Sequence, residues 1–289
     1  MSLILTEISN AGIAMVADSS ISMRNPVTGQ TEPHNKDWLK LLKVSRIHAA
    51  VAYWGNIGAV SGAEPFDQWL TTRIRDGAYT DLPSFAGFLA AELNTAAHNV
   101  PLPHGQCVGI HVAGYHLWQD NISRPTFYHV LNGNGHIAIR YHSANHNGQQ
   151  VLTRIDHEWV AEPRTLFRAN LDYPAAGRPL AESIAGLQEG YITRNGDYFP
   201  FLLISDGINY TRQTLKLSGI SLPSNPERLG SRLGYLSLVM QTVIAIYGCS
   251  SLTEVVGGYV TALGITPDAT YLESNRRTRF PALRALRFH

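Results

Sequence analysis

The sequence predicts an α+β fold in which helices pack on antiparallel sheet, and three features indicate this class. Residues 3–8 alternate with a period of two and residues 13–17 form a short apolar run, which together predict two N-terminal strands. Two amphipathic segments between residues 65 and 99 are flanked by further strand patterns. The long apolar segment 227–247, with Asn225-Pro226 before it and Gly248 after it, is the strongest helix prediction in the chain.

A tight turn joins the two N-terminal strands, and the second strand ends at a charged residue. Asn10, Ala11 and Gly12 favour the turn, because Asn and Gly tolerate positive φ. The apolar run then ends at Asp18, the last residue of the strand. Two interpretations stay open for this carboxylate, which either caps a turn or belongs to a functional site.

The elements up to residue 142 follow as loop, strands, helices and strands. Polar and turn-forming residues dominate 22–36 and predict an exposed loop. The pattern then predicts strands over 38–44, 46–53, 106–117, 126–131 and 136–141, helices over 65–76 and 81–99 with an N-cap at Asp81, and a hairpin turn at 132–135. Gly55 lies among small residues after the second of these strands, where backbone can approach a ligand closely.

The chain beyond residue 142 is mixed in composition until its last long helix. We expect 143–226 to be an insertion, in which the pattern predicts strands over 151–159, 164–171, 199–205 and 214–217 and a helix over 179–193. A closing strand over 255–265 and a short strand at 270–272 follow the helix over 227–247. The sequence thus predicts one domain over 1–273 and a basic tail over 274–289, which is solvated or contacts another subunit.

Composition and charge exclude several classes of protein. The chain has 289 residues, 44% of them hydrophobic, so it can bury a substantial core. A formal net charge of +1 favours neither a nucleic-acid nor a membrane partner. Two cysteines, Cys107 and Cys249, argue against a disulfide scaffold and fit a reducing compartment. Since we recognise no signal peptide and no apolar run of about 20 residues, we expect a cytoplasmic protein.

The histidines are a weaker indication of a metal site. His104, His111 and His116 are close in sequence, and His142 and His146 form a pair. Their spacings mix strand and loop, and no cluster of cysteines or carboxylates accompanies them. We therefore expect scattered, half-exposed histidines and neither a metal nor a cofactor.

Ser2 is the candidate catalytic residue if Met1 is removed. The small side chain of Ser2 permits that removal. The chain would then begin with a hydroxyl residue whose own α-amino group lies within reach of its Oγ. The α-amino group titrates near ~8, so a useful fraction is neutral at physiological pH and can accept the hydroxyl proton. The alternative is that Ser2 is an ordinary second residue.

Several stretches have the order and spacing of one known family. They are Ser2, the segment Gly-Ile-Ala-Met-Val-Ala-Asp-Ser at 12–19, Lys-Leu-Leu-Lys-Val at 40–44, Trp54-Gly55 and Val-Gly-Gly at 256–258. In these residues, and in the order of elements over 1–142 and 227–272, the chain resembles the proteasome β-subunit family and its bacterial homologues. The resemblance implies a four-layer αββα sandwich of antiparallel sheets, an N-terminal-nucleophile hydrolase that assembles into a homo-oligomeric ring.

The resemblance also implies a role for each residue of the site. Ser2 Oγ would attack the scissile carbonyl, and its free amine would take the proton. Lys40 would favour ionisation of Ser2, and Asp18 would hold the ammonium charged and in place. The Gly55 backbone N–H would donate to the oxyanion, where one such donor is typically worth about 3 kcal/mol.

Alternatives stay open for two of these roles. If the strand register were shifted, Lys36 or Lys43 would occupy the position that is assigned to Lys40. Gly55 could be present for packing alone. The family nucleophile is most often Thr, whereas a Ser lacks the methyl group that restricts χ1.

Three further departures from the family pattern concern the surroundings of the nucleophile. An arginine usually follows two residues after the aspartate, where this chain has Ser20. The supporting Asp and Ser of the family fall at about Thr253 and Val256, which cannot do the same work. These departures weaken the support of the nucleophile and bear on activity more than on fold.

Two functions from different classes follow. The first is a serine-type N-terminal-nucleophile endopeptidase that hydrolyses unfolded polypeptides inside a ring, with an unfoldase ATPase as a further partner. The second is an inactive proteasome-like ring subunit that serves as a scaffold. Hydrolysis of a small non-peptide amide is a related enzymatic alternative.

Overall fold

A computed structural model describes most of the predicted core of the chain. The described residues are 2–9, 11–24, 27–28, 31–35, 37–55, 64–98, 109–117, 121, 123–132, 139–142, 151–154, 167–173, 191–196, 214, 217–218, 228–249, 256–268 and 270–274.

Strands dominate the described residues, and three α-helices accompany them. The strands are β1 Leu3–Ser9, β2 Gly12–Asp18, β3 Ile21–Arg24, β4 Thr31–Asn35, β5 Leu41–Val44, β6 Ala49–Trp54, β7 Gly109–Leu117, β8 Ser123–Asn132, β9 Ile139–His142, β10 Val151–Arg154, β11 Phe167–Tyr173, β12 Tyr191–Gly196, β13 Val260–Ile265 and β14 Tyr271–Ser274. The helices are α1 Phe66–Asp76, α2 Leu82–His98 and α3 Leu229–Cys249.

The described strands form two five-stranded antiparallel sheets and two small ribbons. The first sheet has the order β12-β1-β2-β13-β14, and the second sheet has the order β11-β8-β7-β6-β5. The ribbons are β3 with β4 and β9 with β10. The fold is therefore α+β with antiparallel sheets, as the sequence predicts.

The N-terminal hairpin lies at the centre of the first sheet. All seven residues of β1 and all seven of β2 are buried, in keeping with strands that are covered on both faces. Gly12 begins β2 with a φ of 130°, and a Cβ there would lie 2.4 Å from the backbone oxygen of Ile265. The predicted turn thus requires glycine both for its backbone angle and for the close approach of β13.

The apolar core consists of three clusters of buried side chains. One joins α1 and α2 to the second sheet, through residues such as Phe66, Phe85 and Val51. Another joins α3 to the first sheet, through residues such as Met240 and Leu5. The third contains side chains from both sheets, namely Ile4, Ile8, Ile13, Met15, Ala17, Leu263 and Ile265 of the first and Leu41, Ala50, Ala52, Trp54, Ala113 and Phe127 of the second.

The predictions for three of the four helices and for most core strands are confirmed. The helices predicted over 65–76, 81–99 and 227–247 appear within a few residues of their expected bounds. Asp81 caps its helix, because its Oδ1 accepts a hydrogen bond of 2.8 Å from Ser84 N. The strand predicted over 38–44 begins only at Leu41, and the strand predicted from residue 46 begins at Ala49, after a short 3-10 turn.

Two predictions are wrong, one of a loop and one of a strand pairing. The predicted loop 22–36 contains β3 and β4, which pair with each other and place exposed turn residues between them. The predicted hairpin at 132–135 would pair β8 with β9, but both edges of β8 are occupied by β7 and β11. Because β8 offers no free edge, β9 pairs with β10 instead.

The predicted insertion supplies strands to both main sheets. β11 is an edge strand of the second sheet and β12 of the first. Tyr191 to Thr193, expected at the end of a helix, begin β12, while 174–190 lie outside the described residues. The strand expected at 214–217 is also wrong, since Ser218 N donates to Thr214 O at 3.1 Å in a helical turn. The strand predicted over 199–205 lies outside the described residues.

Helix α3 corrects the expectation that the chain holds no apolar run of membrane-spanning length. By length and composition alone, Leu229–Gly248 could cross a membrane. One face of the helix packs on the first sheet through Leu233, Leu236 and Met240. A helix that covers a sheet passes the same test of length and composition, so the finding is a weak indication of a membrane span.

Candidate active site

The antiparallel hairpin returns the chain to its own beginning. The register pairs Ile4 with Ala17, so Asp18 at the end of β2 comes back beside the start of β1. Ser2 lies directly before β1 and is only 4% exposed. The hairpin therefore brings the predicted nucleophile and the predicted aspartate together.

Asp18 is the centre of the site, and both of its carboxylate oxygens are engaged. Oδ1 accepts hydrogen bonds from Leu3 N at 2.9 Å and from Lys40 Nζ at 2.8 Å. Oδ2 accepts from Ser20 N at 3.2 Å and from Gly257 N at 3.1 Å. Three backbone donors and one ammonium thus compensate a carboxylate that is fully buried.

Lys40 is the lysine that the fold places against Asp18. It is fully buried, and its Nζ also donates to Ser20 O. Burial lowers the pKa of Lys40 from its ordinary value, and Asp18 offsets only part of this effect. Of the two alternatives, Lys43 is exposed and pairs with Glu273 at 3.3 Å, while Lys36 lies outside the described residues.

Gly55 directly follows β6, the strand that lies beside Lys40. Tyr53 N donates to Lys40 O at 3.2 Å, which places the end of β6 next to the lysine. Gly55 has a φ of 84°, a conformation that favours glycine. The chain therefore turns sharply at the predicted oxyanion donor, one strand away from Lys40.

The segment 18–20 is held in place by the residues that lead into β13. Ser20 N and Ser19 N both donate to Gly257 O, at 3.0 and 3.2 Å. Tyr259 N donates to Ser19 Oγ at 2.7 Å. Ser20 is fully buried, and its Oγ has no hydrogen-bond partner in the part of the chain that the structure describes.

Sequence reasoning missed the backbone donors that complete the site. Gly257 and Ser20 act through their peptide N–H groups, which every residue except proline carries, so residue type gives almost no signal. Val256, where the family has a supporting polar residue, is fully buried in the cluster around α3. Thr253 lies outside the described residues.

The expectation of half-exposed histidines is wrong for two residues. His111 and His129 are fully buried between the sheets, with ring centroids 5.0 Å apart. His116 is half-buried, and His104 and His146 lie outside the described residues. Among the described residues, no group of three or more His, Cys, Asp or Glu side chains could hold a metal ion.

Comparisons with known proteins give distant structural neighbours only. No family model and no curated protein matches the chain. Among solved structures, the chain is similar to a Gly-1 mutant of Anbu from Hyphomicrobium sp. strain MC1, with 12% identity, a TM-score of 0.47 and coverage of 95% of this chain and 86% of the other. It is also similar to Anbu (ancestral beta-subunit) from Yersinia bercovieri, with 10% identity, a TM-score of 0.46 and coverage of 94% and 86%. At these scores the likeness identifies neither a family nor an activity.

Proposed function

We propose that this protein is an N-terminal-nucleophile hydrolase that cleaves peptide bonds with Ser2, after removal of Met1. One observation carries the proposal. A single oxygen of Asp18 accepts hydrogen bonds from Lys40 and from the backbone of Leu3, the residue that follows the nucleophile. This arrangement supports a role for Lys40 as a cation that is held close to Ser2.

In the proposed reaction, Ser2 Oγ attacks the carbonyl carbon and its proton passes to the neutral α-amino group. Lys40 stabilises the negative charge that forms near Ser2, and Gly55 N–H donates to the oxyanion. The C–N bond of the substrate breaks, and the leaving amine takes the proton from the α-amino group. Water then hydrolyses the ester on Ser2, which releases the acid and restores the hydroxyl.

The lowered pKa of Lys40 suits a second role, the transfer of a proton, because burial disfavours the charged form of this side chain. A buried lysine that loses its proton more readily than a free one can exchange it with a nearby group during the reaction. Asp18 remains engaged by three backbone donors throughout, so the site does not depend on the ammonium alone for its geometry.

We place this chemistry on a four-layer αββα sandwich. The three buried clusters support the order α1 and α2, second sheet, first sheet, α3. We further propose a cytoplasmic homo-oligomeric ring, unfolded polypeptides as substrates and an unfoldase ATPase as a partner. The ring, the substrates and the unfoldase rest on the resemblance in the residues of the site, whereas the cytoplasmic location rests on the composition, with only two cysteines.

An inactive ring or scaffold subunit is the second candidate. Ser20 and Val256, where the family carries polar support for its nucleophile, favour it. Hydrolysis of an intrinsically unfolded polypeptide separates the two candidates. The enzyme hypothesis predicts cleavage that Ser2→Ala abolishes and Lys43→Ala leaves intact. Equal cleavage by wild type and Ser2→Ala, or none by either, would favour the scaffold.

A further inference from the structure

A hydrogen bond between two buried rings ties the residue before Gly55 to a distant strand. Trp54 Nε1 donates to His129 Nε2 at 3.1 Å. Both residues are buried, and their ring centroids are 5.7 Å apart. Because the indole N–H can only donate, Nε2 of His129 must be an acceptor, and the imidazole carries its proton on Nδ1.

This contact crosses an intervening strand. Trp54 ends β6 and His129 lies on β8, while β7 runs between them. The β7 residue that pairs with Trp54 is Gly109. A Cβ on Gly109 would lie 3.0 Å from Trp54 Nε1 and 3.1 Å from His129 Nε2. The missing side chain at Gly109 therefore gives the two rings the room to meet.

The same histidine contacts a second histidine that reaches β1, the strand that follows the proposed nucleophile. His129 lies directly opposite His111 in the β7–β8 register. His111 Nδ1 is 2.8 Å from Thr6 Oγ1, and Thr6 is on β1. Buried side chains in contact thus run from the strand that follows Ser2, through two imidazoles that meet edge to face, to the last residue of β6.

The orientation of the Gly55 N–H depends on the peptide that joins it to Trp54. β6 ends at Trp54, so the indole is the last anchored side chain before the positive φ of Gly55. Loss of the contact made by Trp54 would remove the last side-chain anchor before the peptide that carries the proposed oxyanion donor. Such a donor must be held within a fraction of an ångström of its productive position.

We propose that His129 is a positioning residue, which holds Trp54 and through it aims the Gly55 N–H at the oxyanion. The inference rests on the proposed hydrolase function. His129 itself does not touch substrate in this role. Gly109 contributes to the same arrangement, because a Cβ there would press on the two ring nitrogens that form the hydrogen bond.

The test compares variants that keep or remove the hydrogen bond. His129→Phe removes the acceptor and keeps a ring, whereas His129→Gln offers an amide oxygen near the position of Nε2. Trp54→Phe removes the donor and serves if His129→Phe does not fold. His116→Phe, on β7, is the matched control. For each we would measure urea unfolding, kcat and KM for a peptide substrate, and hydrogen exchange of the Gly55 amide.

We expect His129→Phe and Trp54→Phe to lower kcat on the order of 10-fold or more, with KM nearly unchanged. His129→Gln should recover most of kcat, and Gly55 exchange should accelerate only in the two Phe variants. Unchanged kcat and unchanged Gly55 exchange in both Phe variants would overturn the inference. If wild type cleaves no peptide, the proposed function fails, and Gly55 exchange alone then decides the positioning role.

Discussion

Lys40 and Asp18 form an ion pair that is closed to solvent on both sides. Lys40 Nζ lies 2.8 Å from Asp18 Oδ1, and neither side chain is exposed. A buried pair of this kind adds little net stability over an apolar pair, but loss of one partner leaves an uncompensated charge in the core. The pair therefore affects folding and chemistry together, and variants of it must be tested for both.

The first prediction concerns removal of the ammonium. Lys40→Met leaves the Asp18 carboxylate buried with backbone donors only, so we expect the free energy of unfolding to fall by about 3–5 kcal/mol. Lys43→Met is the control, because its pair with Glu273 is exposed. Its effect should stay below about 1 kcal/mol. Similar urea midpoints for the two variants would contradict the assignment of Lys40 to the buried site.

The second prediction concerns the turn at the centre of the first sheet. Gly12→Ala forces a side chain onto a φ of 130° and against the backbone oxygen of Ile265. We expect a loss of about 2–3 kcal/mol, measured by chemical denaturation. Gly87→Ala in α2 is the matched control, since its Cβ meets no atom within 4 Å. That change should stabilise the protein by about 0.5–1 kcal/mol. If Gly12→Ala destabilised the protein no more than Gly87→Ala, the close approach of β13 to Gly12 would be refuted.

The third prediction is a pH dependence that originates at Glu7. This carboxylate pairs with Arg232 on α3, yet burial raises its pKa above the ordinary value of 4.5. With the folded-state pKa raised, the stability that Glu7 contributes is fully present below its unfolded pKa and is lost as pH rises through the folded pKa. The difference in unfolding free energy between wild type and Glu7→Gln should therefore fall as the pH rises above about 4.5. Urea unfolding at several pH values from 4.5 upward measures this difference in free energy. A difference that rises with pH would mean that folding lowers the pKa of Glu7.

The fourth prediction tests whether α3 packs on the first sheet through one face only. Leu236 is 1% exposed and packs on the first sheet, whereas Leu238 on the same helix is 51% exposed. Leu236→Ala should cost about 2–5 kcal/mol and Leu238→Ala less than about 1 kcal/mol. Thermal or urea unfolding of the two variants measures the contrast. Equal costs would mean that both faces of the helix are packed.

The elements with strong local patterns could be predicted from the sequence. β1, β2 and the three helices carry their period in consecutive residues, so their type and approximate bounds follow from the chain alone. Strand partners carry no such signal, because a period of two is the same whichever neighbour a strand pairs with. The turn residues at 132–135 predict β9 as the partner of β8, which the order of the sheet overrules. The polar and turn-forming residues of 22–36 hide β3 and β4 for a different reason, since they are typical of a loop.

The candidate site also combines features that local sequence predicts with features that depend on which strands are neighbours. The spacing from Ser2 to Asp18 predicts their proximity, because a tight hairpin must return the chain to its start. The backbone donors from Gly257 and the bond between Trp54 and His129 depend on which strands are neighbours in space. They could not be predicted without the order of both sheets.

The most direct measurement is the intact mass of protein purified from its native host, before and after incubation with a peptide epoxyketone. That reagent needs a hydroxyl and a free α-amino group on the same residue to close its ring adduct. The account predicts loss of Met1 and one adduct per chain, both adduct and activity disappearing in Ser2→Ala. A chain that retains Met1 and forms no adduct would contradict the assignment of Ser2 as the nucleophile.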